Sequence, residues 1–131
     1  MGRFSPTISS FLTQVAVDQF LDVTEVPKSD SCASPGEILI FLYNPKSLKS
    51  INLSWRIVLA VEPVTKSAKT GNLILTGFEV PPNGPPAYTP NSLFTLYKNK
   101  ELRDDDYKTF ILSKPHVIGP LYKISKNTEE D

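Results

Sequence analysis

Twelve prolines interrupt the chain, against six glycines, and they limit its architecture more than any other feature. Proline has no backbone N–H and a fixed φ, so it breaks helices and sits at the ends and edges of strands. A chain stopped this often favours short strands joined by stiff loops over a helical bundle. Five of the twelve fall in residues 81–92 (PPNGPPAYTPNS). Adjacent proline pairs hold a backbone extended, so residues 80–92 read as a projecting arm. Such an arm presents Tyr88 at low entropic cost, which suits docking on another subunit. Pro82, Pro85, Pro86 and Tyr88 are therefore candidate protein-interface residues.

Hydrophobic periodicity divides the rest. Ile8, Phe11, Leu12, Val15, Phe20 and Leu21 fall near one stripe at 3.6-residue spacing, which predicts a helix over residues 5–22. Ser5 is placed as its N-cap and Pro6 at its first position. A polar linker follows at residues 27–36. From Glu37 onward the signals are those of strands. Residues 38–43 (ILIFLY) form an apolar run between Gly36 and Asn44-Pro45. Residues 55–63 alternate, with Trp55, Ile57, Leu59 and Val61 on one face. The turn signal at residues 69–72 leads into a return strand, residues 73–80, giving a hairpin. A short edge strand is expected at residues 93–97, a charged turn at 101–106, and strands at 107–113 and 117–124. The expected organisation is an N-terminal helix in residues 1–26, a linker at 27–36, a β domain at 37–124 carrying the arm, and a polar tail at 125–131. Five short antiparallel strands of this kind favour a small closed barrel, because closure removes exposed edges.

Charge and cysteine content narrow the function classes. Fourteen basic and fourteen acidic side chains balance over 131 residues, which argues against a strongly basic, sequence-blind nucleic-acid coat. The balance hides a basic middle: residues 31–100 carry seven basic and three acidic side chains, while both flanking regions are net acidic. The one cysteine, Cys32, precludes an internal disulfide and a cysteine metal cluster. It fits a reducing compartment or a particle that does without disulfides. The longest apolar run, residues 38–43, falls far short of the roughly 20 residues of a membrane-spanning helix. The first residues lack the apolar segment of a secretory signal.

Catalytic constellations are not legible. The lone histidine, His116, follows a strand, and Cys32 lies in the linker, with no third group to orient such a pair. Asp104, Asp105 and Asp106 lack the spacing of a calcium loop and read as a solvated turn. No glycine-rich phosphate loop occurs. We therefore expect no enzyme, no cofactor and no metal. The basic set is more informative. Lys46, Lys49, Arg56, Lys66 and Lys69 lie within 24 residues, and Lys108 and Lys114 share a face of their strand. With Tyr43, Trp55 and Tyr107 nearby, these seven are candidate nucleic-acid or ligand contacts, through phosphate pairing and base stacking.

The order of the β segments adds a resemblance. An apolar strand ending in tyrosine (ILIFLY, 38–43) precedes an Arg-to-Glu-Pro strand (RIVLAVEP, 56–63). Then come a Thr-Gly-Asn strand (TGNLILTGFE, 70–79) and a basic-Thr-Phe strand (YKTFILSK, 107–114). This order resembles the WYL domain, and in particular the short stand-alone WYL-like proteins of tailed bacteriophages, over residues 37–118. Leu73-Ile74-Leu75 stands where that family carries Trp-Tyr-Leu, and Lys108 and Lys114 replace arginines. The resemblance implies a small barrel that binds nucleotides or single-stranded nucleic acid, often as a regulatory module. Two readings result. The first is a non-enzymatic structural or interaction protein of a phage-like element, contacting other protein subunits in an assembly. The alternative is a WYL-like ligand- or nucleic-acid-binding module.

Overall fold

The computed structural model describes residues 6–18, 20–26, 33–44, 54–80, 89–112 and 116–126, with the side chains of residues 6–10 and 118 excepted. Among these residues the chain runs α1 (Pro6–Val17), β1 (Leu21–Val26), β2 (Ile38–Tyr43), β3 (Ser54–Ala60), β4 (Thr65–Lys66), β5 (Leu73–Glu79), α2 (Pro90–Lys98), a 3-10 turn (Asp104–Asp106), β6 (Tyr107–Ile111) and β7 (Val117–Lys126).

All seven strands join one antiparallel sheet. Its order is β1-β7-β2-β3-β5-β4, with β6 also on β5. β3 and β4 pair with successive stretches of β5, Ala60 opposite Gly77 and Thr65 opposite Ile74, so β4 continues β3 after a break. The hairpin expected over residues 55–80 is present in this form. Among the described residues β1 pairs with β7 alone and β6 with β5 alone. The sheet is therefore open, and the expected five-stranded barrel is not formed.

Burial explains why. On β2, Ile38 and Ile40 join one core cluster, while Leu39, Phe41 and Tyr43 join another. β3 repeats the split: Ile57 and Leu59 belong to the first cluster, Val58 and Ala60 to the second. Trp55 and Val61 pack against the first cluster, so the expected facing of residues 55–61 is correct. The strand is nevertheless buried on both faces rather than one from Ile57 to Ala60. A small barrel would turn one of these faces to water. An open sheet with apolar side chains on both faces must cover the second with other elements. Phe11, Leu93 and Phe94, from the two helices, complete that cover.

The other face curls on itself. β2 and β6 stand three strand steps apart, about 14 Å in a flat sheet. Yet the Phe41 and Phe110 rings meet edge to face at 5.7 Å, and Tyr43 meets Phe110 at 5.3 Å. Close approach within the sheet needs Gly77, where a Cβ would stand 2.2 Å from the Leu59 carbonyl oxygen.

Two elements differ from expectation. The helix predicted over residues 5–22 ends at Val17, and residues 21–26 form strand β1. The edge strand expected at residues 93–97 is the middle of α2. The arm expected over residues 80–92 is divided. Val80 is buried and its N–H donates to the Ile57 carbonyl, and residues 81–88 lie outside the described residues. Thr89 caps α2 by accepting from the Ser92 N–H, with the Ser92 hydroxyl accepting from the Thr89 N–H in return. Pro90 then occupies the first turn, where its missing N–H costs nothing.

Candidate functional site

Sheet register brings together two of the seven basic residues singled out from the sequence. Glu79 stands opposite Val58 on β3, and Gly77 opposite Lys108 on β6. Arg56 and Lys108 are then the diagonal neighbours of Glu79 on either side, within reach of long side chains. Arg56 Nη1 donates to Glu79 Oε2 at 2.9 Å, and Lys108 Nζ donates to Oε1 at 3.2 Å. The Glu79 side chain is only 4% exposed, against 23% for Arg56 and 63% for Lys108. Arg56 also donates through Nε to the Ser54 hydroxyl, and its guanidinium lies 5.4 Å from the centre of the Tyr43 ring. Tyr43 in turn stacks on the His116 ring at 5.9 Å. His116 is half-buried, with Nδ1 3.0 Å from the Asn44 carbonyl oxygen.

Of the other basic candidates, Lys66 and Lys69 do not join this cluster. Lys66 pairs with Leu73, six residues along β5 from Glu79 and so about 20 Å away. It and Lys69 are exposed at the far end of that strand. Lys46, Lys49 and Lys114, the interface candidates Pro82, Pro85, Pro86 and Tyr88, and Cys32 all lie outside the described residues. Asp104–Asp106 form an exposed 3-10 turn, as the solvated-turn reading expected. Among the described residues no group of three or more histidine, cysteine, aspartate or glutamate side chains could hold a metal. No helix among them is long and apolar enough to cross a membrane.

A second feature was not read from the sequence. Where α1 turns into β1, three apolar side chains face water: Val17 is 71% exposed, Phe20 44% and Val23 52%. Of the three, Val23 also borders an apolar cavity of about 410 Å³. Leu12 and Val15 of α1 line it on the helix side, and Val23, Tyr122, Ile124, Ile40 and Trp55 line it from the sheet. The corner is pinned by Asp18, which accepts from the Phe20 N–H at 2.8 Å and from Asn91 at the start of α2. Its outer rim is β1, the sheet edge, carrying exposed Asp22 and Glu25. The signal for β1 was the β-branched run Val23-Thr24 with Val26. It was masked because Phe20 and Leu21 happen to continue the helical stripe.

No family model, curated protein or solved structure matches this chain.

Proposed function

We propose that this chain is a non-enzymatic interaction protein that docks on other protein subunits through the corner between α1 and β1. The observation that carries this reading is that exposed Val17, Phe20 and Val23 fall at this corner, where Val23 both lines an apolar cavity and lies on a sheet edge. Scattered exposed apolar residues are ordinary, but three between residues 17 and 23, one of them lining a cavity, suit an interaction surface. The resemblance of residues 37–118 to phage-encoded WYL-like proteins supports an assembly in a phage particle or its host's cytoplasm.

A second reading rests on Arg56 and Lys108, which converge on Glu79 with the Arg56 guanidinium near the Tyr43 ring, the residue types a phosphate- or nucleotide-binding group uses. Both cations already serve Glu79, and Lys66 and Lys69 lie too far away to extend the footprint. The first reading is therefore preferred.

Light scattering at low salt, with and without a single-stranded oligonucleotide, separates the two. The docking reading expects a mass indifferent to the oligonucleotide, and any association of the chain weakened by Val17→Ser with Phe20→Ser. A salt-sensitive rise in mass on adding the oligonucleotide, lost in Arg56→Gln, would overturn it in favour of the second.

A further inference from the structure

The α1–β1 corner has the parts of a strand-addition site, and we infer that its partner is an extended segment of another protein, basic on its flanks and apolar at its centre. The inference rests on the docking reading and names the chemistry of the partner.

Three observations converge on it. First, β1 pairs with β7 alone among the described residues, so alternate residues turn their N–H and C=O groups away from the sheet. An extended chain can pair with those groups, and side-chain pockets then supply the specificity. Second, such a pocket is present. Val23 lies midway along β1 and also lines the cavity. A side chain of the added strand directly opposite Val23 stands about 5 Å from it, on the same face of the sheet. A leucine there lies beside the cavity that Val23 lines. Third, charge selects the flanks. Asp22 and Glu25 are the charged side chains of β1, and both are exposed. A second copy of β1 would bring two more carboxylates to the same edge, whereas lysines opposite Asp22 and Glu25 are complementary. The occupant is therefore a foreign strand.

The chain carries its own reporter, because its one tryptophan, Trp55, lines the cavity. The probe is the acetylated, amidated pentapeptide Lys-Thr-Leu-Lys-Val. In antiparallel register its two lysines fall opposite Glu25 and Asp22, and its leucine opposite Val23. Titrating it into the wild-type chain should change Trp55 emission saturably. Replacing both lysines by glutamate should weaken binding about tenfold or more, and N-methylating alternate amides should abolish it. In the chain, Val23→Lys should remove the response with an unchanged melting curve, since Val23 is exposed. Glu25→Lys should weaken the lysine peptide and strengthen the glutamate one.

The inference is overturned if the folded wild-type chain gives no saturable response, or if the lysine and glutamate peptides bind equally. It is also overturned if sedimentation shows the chain pairing with itself and Val23→Lys dissociating that dimer, because the occupant is then a second copy. Protein adducts formed by a photo-crosslinker at position 17, without peptide binding, would leave the docking reading standing and remove only this strand chemistry.

Discussion

Glu79 is held by two cations of unequal burial, and they should not be equivalent. Removing one partner of a buried ion pair strands the other charge, typically at about 3–5 kcal/mol. Lys108 remains to share the load in Arg56→Ala, so that change should cost roughly 2–4 kcal/mol. Lys108→Ala removes an exposed partner and should cost less than about 1 kcal/mol. Urea unfolding of the two variants checks the order, and equal losses would contradict the geometry. Tyr107 gives a pH prediction. Its burial, reinforced by the Asp104 carboxylate and by Tyr97, raises its phenol above the usual value. The unfolded chain therefore releases this proton first, near pH 10, while the folded chain keeps it. Stability is unaffected below that pH and falls as pH rises through it. Tyr107→Phe should shrink the loss of stability between about pH 9 and about pH 10.5, and identical losses in the two proteins would contradict the assignment. Gly77→Ala should be destabilising by at least about 1–3 kcal/mol, because the added methyl meets backbone rather than a movable side chain.

At the scale of elements, the strands of the middle of the chain were legible and the helices less so. Residues 38–43 and 55–60 announce themselves by apolar content and alternation, and the facing of Leu59 follows from parity alone. Leu59→Ala, at a fully buried position, should cost on the order of 2–5 kcal/mol. What parity could not show is that the opposite face, with Val58 and Ala60, would be buried too, since that depends on how far the sheet curls. The boundary of α1 was lost because Phe20 and Leu21 keep helical spacing past the true end at Val17. In α2 the signal was present but overruled. Thr89-Pro90 is a cap followed by a first-turn proline, and Leu93, Phe94, Leu96 and Tyr97 are spaced as one helical face. Proline density nearby favoured an arm instead. Thr89→Ala should cost about 1 kcal/mol by removing the cap, measurable as a lower denaturant midpoint. Of the candidate site, the sequence shows Arg56 and Lys108 as basic residues on strands, but their convergence on Glu79 is a consequence of long-range register. Periodicity within one strand cannot report which strand lies beside it.

At the scale of the whole molecule, two helices among the described residues cover one face of an open sheet, and the sheet curls over its own other face. Among the described residues, the large apolar side chains left exposed, Val17, Phe20 and Val23, fall at the α1–β1 corner. A side chain exposed in the folded monomer contributes little to its stability, so Val17→Ser and Phe20→Ser should each shift stability by no more than about 0.5 kcal/mol. That separates docking from folding and permits a direct test. A photo-crosslinking phenylalanine analogue is placed at position 17 and, in a second sample, at position 69, which is exposed in the turn at the far end of β5. Each chain is irradiated in the cells that naturally produce it. Docking through the α1–β1 corner gives discrete protein adducts from position 17 and none from position 69. Adducts of equal strength from both positions, or none from position 17 while the chain is folded and present, would contradict it.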